Sequence, residues 1–191
     1  YEFEVSFPQT PSPALKSLDQ DERVVYVGSF SKSLFPGLRL GYLVGSKPFL
    51  REARALRALV LRHPPGHIQR TAAYFLSLGH FDAQIRRMAR KLHERRDRMR
   101  DAIAEHALDF AGPASASGSA FWMRAAPSVD TEKVARSLRA QSVLIEPGHA
   151  FFGASENGPH NFYRLGFSSI AQDRIHDGIA HVARALELAS S

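Results

Sequence analysis

Val27-Gly28-Ser29-Phe30-Ser31-Lys32-Ser33-Leu34-Phe35-Pro36-Gly37-Leu38-Arg39-Leu40-Gly41 is the stretch from which the fold is read. It grows out of Arg23-Val24-Val25-Tyr26-Val27, a β-branched run that predicts a buried strand over 23–28. The strand leads into small hydroxyl residues and a single lysine. Pro36-Gly37 then matches positions i+1 and i+2 of a type II turn. Such a turn folds the chain back, so that Arg39, seven residues after Lys32, approaches the same ligand. Leu38-Arg39-Leu40-Gly41-Tyr42-Leu43-Val44-Gly45 predicts the next strand, with Gly41 leaving room for close backbone packing.

The residue types have a chemistry in common. A lysine amine attacks an aldehyde only when neutral, and its ordinary pKa is about 10.4, so it needs desolvation or covalent capture to act near neutrality. The end of a buried strand would supply the desolvation. Ser29 and Ser31 offer hydroxyl donors to phosphate oxygens, and the planar fork of Arg39 pairs with phosphate bidentately. Amine, hydroxyls and guanidinium together suit a phosphorylated aldehyde, and hence pyridoxal 5'-phosphate.

The rest of the chain sets bounds on this reading. Its 191 residues are 44% hydrophobic and 23% charged, which is globular and long enough for one or two modest cores. It has no cysteine, which excludes disulfides and thiolate metal sites and fits the cytoplasm. No run of about 18 apolar residues marks a membrane span. Tyr1-Glu2-Phe3-Glu4 lacks the basic start and apolar core of a signal peptide. Residues 1–7 alternate as a strand does, so the chain is expected to be a piece of a longer protein. The formal charge of +6 is compatible with anionic ligands or nucleic acid and selects neither.

Alternating patterns indicate an α/β layer structure. An irregular connection over 8–22 precedes the lysine stretch. Helices are expected over 47–61, where Leu50, Ala53, Leu56 and Val60 recur at helical spacing, and over 68–77, stopped by Gly79. A long helix over 81–106 carries the apolar seam Ile85, Met88, Leu92, Met99, Ile103. Beyond it, strands are expected at 120–123, 143–145 and 161–167. An Asp130-capped helix and a terminal helix over 170–188 complete a compact α+β unit.

Ser29-Phe30-Ser31-Lys32-Ser33-Leu34-Phe35-Pro36-Gly37-Leu38-Arg39-Leu40-Gly41-Tyr42 resembles the lysine region of fold type I, pyridoxal-phosphate-dependent aminotransferases of class I/II. The resemblance implies that Lys32 is the Schiff-base lysine that also moves the substrate proton. It implies that Ser29 and Arg39, with Ser31 beside them, hold the cofactor phosphate, and that Tyr1 hydrogen-bonds the cofactor's phenolic oxygen. Asn161-Phe162-Tyr163-Arg164-Leu165-Gly166-Phe167-Ser168 resembles the family segment whose arginine binds the substrate α-carboxylate, here Arg164. Leu144-Ile145-Glu146-Pro147-Gly148 resembles a small-domain turn of the same family.

The likeness runs through the chain in order and corresponds to the family's C-terminal half. Residues 1–85 would be part of the cofactor-binding large-domain α/β sandwich, and 86–191 a long interdomain helix plus a small α+β domain. Gly66-His67-Ile68-Gln69, Gly79-His80-Phe81 and Ile85-Arg86-Arg87-Met88 look like the aminotransferase-like domain of MocR-type (GntR family) transcriptional regulators.

The implied function is amino-group transfer between an amino acid and a 2-oxo acid by a cytoplasmic homodimer. The 191 residues on their own are expected to have little or no activity. The alternative is an effector-binding domain that binds pyridoxal phosphate and controls a DNA-binding domain not contained in these residues.

Other readings are weaker. Ser29-Phe30-Ser31-Lys32 also fits Ser-x-x-Lys, the nucleophile motif of penicillin-binding enzymes, but its Ser-Asp-Asn and Lys-Thr-Gly partners are missing. The basic run from Arg86 to Arg100 has no aromatic interleaving, and Glu94 and Asp97 interrupt it at ion-pairing spacings, so it reads as a solvated face or subunit contact. Pro64 and Pro65 keep His63 and His67 off one helical face, so no metal site is read there.

Overall fold

A computed structural model describes residues 13–112, 118–153 and 158–190. The strand expected over 1–7, and Tyr1 with it, lies outside the described residues. The chain divides into two compact units, Tyr1–Ala89 and Arg90–Ser191.

In the first unit a short helical turn, α1 (Leu15–Leu18), is followed by strand β1 (Tyr26–Ser29). Next come a one-turn helix α2 (Phe30–Ser33), a 3-10 turn (Pro36–Leu38) and strand β2 (Gly41–Val44). The two strands pair antiparallel, Tyr26 opposite Val44 and Ser29 opposite Gly41. Helix α3 (Lys47–Val60) begins where Ser46 accepts the Phe49 N–H at 3.4 Å and Pro48 sits in the first turn, where its missing N–H costs nothing. Helix α4 (Gly66–Ser77) ends before Gly79, whose φ of +74° an L side chain would resist. Helix α5 (His80–Glu105) then runs across the boundary between the units.

Two strands of this unit differ from expectation. The strand expected over 23–28 is Tyr26–Ser29, and only Gly28 in it is buried. The strand expected over 38–45 shortens to Gly41–Val44, with no buried residue. The helix expected over 47–61 is found at Lys47–Val60, and Leu56 and Val60, two of the residues that recur along it, are 63% and 80% exposed. Periodicity reports that a helix has an apolar face. It does not report whether the described residues cover that face.

The second unit is closed. Strands β3 (Asp109–Phe110), β4 (Ala120–Arg124), β5 (Glu146–Pro147) and β6 (Phe162–Gly166) form one antiparallel sheet in the order β3-β4-β6-β5. Both long strands alternate strictly. Phe121 and Met123 of β4 and Tyr163 and Leu165 of β6 are buried, whereas Trp122, Phe162 and Arg164 face the other way.

The core also takes Leu92, Met99 and Ile103 from α5, Val134 and Leu138 from α6 (Thr131–Arg139), and Ile175, Ile179 and Val182 from α7 (Ile175–Ser190). Each such side chain contributes about 1.5–3 kcal/mol on burial. Asp130 caps α6 as the sequence predicts, accepting the Glu132 N–H at 3.0 Å.

The strand expected at 143–145 is displaced: pairing begins only at Glu146, opposite Arg164. Helix α7 begins at Ile175 rather than 170, after a 3-10 turn at Gln172–Arg174. No helix among the described residues is long and apolar enough to cross a membrane.

Candidate functional site

The lysine loop is closed at its base by backbone. The Phe30 N–H donates to the Leu40 carbonyl at 3.0 Å, where β1 gives way to β2. Ser29 and Arg39 flank that hydrogen bond, one on each arm of the loop. Glycine is required on both strands. A Cβ on Gly41 would lie 2.8 Å from the Gly28 oxygen, and one on Gly28 would strike the Tyr42 ring at 2.1 Å. Phe30 anchors the turn, buried against Tyr42 (5.3 Å between centroids) and edge-on to Phe81 (5.8 Å).

The Ser29 hydroxyl accepts the Ser31 N–H at 3.2 Å and so caps α2, the turn that carries Lys32. Pro36-Gly37 does not form the expected type II turn. Residues 36–38 make a 3-10 turn, and the positive φ falls on Arg39 (φ 48°, ψ 38°) rather than on Gly37. Its backbone N–H reaches back to the Pro36 carbonyl at 3.4 Å. The loop still reverses, by a different turn. Lys32 is exposed, contrary to the expected desolvation, because β1 and β2 are a two-stranded sheet with open faces. Ser33 beside it is buried, and its hydroxyl has no partner among the described residues.

In the second unit Arg164 lies on the central strand β6, with Trp122 opposite on one side and Glu146 on the other. Its Nη1 donates to Glu146 Oε2 at 2.6 Å. Trp122 stacks on Phe162 (5.8 Å, 18° between planes) and meets Phe151 and Phe152 at 5.5 and 5.9 Å. Gly148 permits this packing: a Cβ there would come 2.7 Å from both the indole and the Phe162 carbonyl oxygen.

Thr131 ties the start of β6 to α6, its Oγ1 lying 2.8 Å from the carbonyl oxygens of both His160 and Phe162. A cavity of about 780 Å³ is lined by Arg164, Glu146, Leu144, Ile170, Arg174 and His181 among others. The sequence marks Arg164 and the Glu146-Pro147-Gly148 turn separately. It gives no sign that Glu146 meets Arg164, because that depends on cross-strand register.

Tyr163, one residue away on the core face, is buried with its hydroxyl unpartnered among the described residues. Burial first, and then the nearby Asp109 charge, raise its phenol well above the ordinary value.

Part of the basic run is structural. Asp97 takes His93, Arg96 and Arg100 at 3.3–3.8 Å, and Arg95 donates to the Ser168 carbonyl at 2.5 Å.

Sheet, helices and lysine loop define a class, the α/β fold of the aminotransferases. The chain belongs to the aminotransferase class I and II family, whose model matches residues 3–181. It is 58% identical over 97% of its length to the HTH-type transcriptional regulator TauR of Rhodobacter capsulatus, and 28% identical over 96% to aromatic-amino-acid aminotransferase 1 of Thermococcus litoralis. Among solved structures, LysN, an alpha-aminoadipate aminotransferase of Thermus thermophilus complexed with N-(5'-phosphopyridoxyl)-L-leucine, superposes with a TM-score of 0.87 at 26% identity, covering 99% of this chain and 49% of that one. The chain spans 38% and 44% of the lengths of the two curated relatives. It is an aminotransferase-like domain with relatives among both enzymes and regulators.

Proposed function

We propose that the intact protein uses pyridoxal phosphate to move an amino group between an amino acid and a 2-oxo acid. The observation that carries this reading is the closed loop 30–40, which gathers an amine, hydroxyls and a guanidinium onto one short stretch of backbone. That donor set fits the cofactor: a phosphate dianion takes hydroxyl and guanidinium donors, and an aldehyde takes an amine. Ser29 and Arg39 hold the phosphate, with Ser31 beside them. Tyr1, outside the described residues, bonds the phenolic oxygen.

When bound, the cofactor supplies an electron sink for the bond broken at the amino acid's Cα. Lys32 would be the residue that holds the cofactor by its aldehyde carbon. Its amine would also serve as the base that accepts the proton leaving the amino acid's Cα. Both roles need the amine neutral. Arg164 orients the amino acid by its α-carboxylate. On this reading residues 1–85 belong to the cofactor-binding domain and 86–191 to the carboxylate-binding one, in a cytoplasmic homodimer.

A second reading stands beside the first without being favoured over it: the same binding steps set the state of an attached DNA-binding domain, as the name of the relative TauR suggests, and the cofactor or its amino-acid adduct is an effector. Two measurements test the pair. Borohydride reduction of the loaded protein, followed by peptide mapping, is expected to find the cofactor on Lys32, with no label in Lys32→Ala. Label on another residue defeats both readings. Sustained 2-oxo acid formation across a panel of amino acids selects the enzyme; binding without turnover selects the regulator.

A further inference from the structure

Arg164 already holds a carboxylate. Glu146 stands directly opposite it on β5, and the pair closes to 2.6 Å. A guanidinium that is to receive an incoming α-carboxylate therefore starts in contact with an internal one. The geometry points to Glu146 as a competing occupant of Arg164: it holds the guanidinium while no ligand is bound, and a ligand carboxylate must displace it. This inference rests on the proposed role of Arg164.

The backbone keeps Glu146 in place. The Gly148 N–H donates to the Phe162 carbonyl at 2.8 Å, so β5 is aligned with β6 by backbone and not by the Arg164–Glu146 contact. The side chains, by contrast, are free to part. They are 36% exposed for Arg164 and 53% for Glu146, so the pair is worth little and its carboxylate can turn into water. A deeply buried pair could not be opened so cheaply.

Two carboxylates on one guanidinium repel each other, so the ligand's affinity carries the cost of expelling Glu146. The other titratable groups lining the cavity are Arg174, Asp177 and His181, and His181 Nδ1 is engaged with Gln141 Oε1 at 2.9 Å. Glu146 is the one acid seen paired with Arg164 among the described residues. The effect is selective. A ligand that brings a carboxylate able to take both arms of the fork outcompetes Glu146, whereas an amine without a carboxylate gains nothing from Arg164.

The test uses the intact protein loaded with pyridoxal phosphate and two probes: L-alanine, and ethylamine as its carboxylate-free counterpart. Calorimetric titration measures the affinity of each. Glu146→Gln keeps the shape and removes the charge. It is expected to tighten L-alanine about threefold to fivefold, the range of an exposed ion pair, and to leave ethylamine unchanged. Glu146→Ser should move in the same direction. In an Arg164→Ala background, Glu146→Gln should shift nothing, a coupling that a merely structural role would not produce. Unchanged thermal unfolding of Glu146→Gln separates affinity from folding. Unaltered or weaker L-alanine binding in Glu146→Gln, with Arg164→Ala still losing it, overturns the competition and leaves the clamp standing. Unaltered L-alanine binding in Arg164→Ala overturns both.

Discussion

The two units solve the burial problem differently. Among the described residues the second unit buries apolar side chains from every one of its helices and from both long strands, around Ile103, Met123, Leu138, Tyr163 and Phe167. The first unit buries Phe30, Leu38 and Ala72, and leaves Val27, Leu56, Leu59, Val60 and Leu61 largely in water. Yet the first unit carries the lysine loop. Its local geometry is held by backbone hydrogen bonds, two glycines and one buried phenylalanine, and it does not depend on a large core. The second unit holds Arg164 by the opposite means, on a strand whose core face is fully packed. A loop can be shaped by turn chemistry, whereas a charged side chain in mid-sheet needs the sheet.

The sharpest way to break this contrast is one substitution made in each unit. Leu138→Ala, at a site with no exposed surface, should cost about 2–5 kcal/mol in denaturant unfolding of the intact protein. Leu59→Ala, at a site 84% exposed, should fall within about 0.5 kcal/mol of the parent. Similar losses at both positions would mean that the leucine on α3 is covered in solution.

A second comparison is by pH. In the first unit the Asp19 carboxylate, only 4% exposed, is held by Lys16 Nζ at 2.6 Å and by the backbone N–H groups of Arg23 and Val24. The Lys16 hydrogen bond, helped by those two amides and opposed by desolvation, lowers its pKa from 3.8 to about 2. A depressed carboxylate contributes stability above its unfolded value and loses it on acidification. The segment ahead of β1 should therefore loosen between about pH 4 and 2. NMR titration of the Asp19 carboxyl, with amide exchange at Arg23 and Val24, reads this directly. Asp19→Asn should abolish the transition, and an ordinary titration near 3.8 would remove its basis.

The smallest expected effect lies in the second unit. Tyr163→Phe deletes a buried hydroxyl that has no partner among the described residues, so stability should stay level or rise slightly. A loss well beyond about 1 kcal/mol on thermal unfolding would show that a bound water satisfies the phenol.

Much of this was legible in advance where a signal is local. The helix expected from residue 47 starts there as α3, Asp130 marks the start of α6, and Gly79 the end of α4, because caps and breakers act within one turn. The strict alternation around Arg164 marks β6. What was not legible depended on partners distant in sequence. Val143-Leu144-Ile145 has strand composition, yet the ladder starts one residue later, where Glu146 finds Arg164. The exposure of Lys32 follows from how many strands flank β1, which no window around the lysine contains. Pro36-Gly37 allowed more than one turn type, and the chain placed the left-handed residue at Arg39.

Trp122 has a practical consequence. It is the chain's single tryptophan, and it sits opposite Arg164 within a ring of phenylalanines above Gly148. Its emission is therefore a built-in optical probe of that face of the sheet. Wavelength and quenching of this one indole can follow events at the neighbouring guanidinium with no dye attached and no residue replaced.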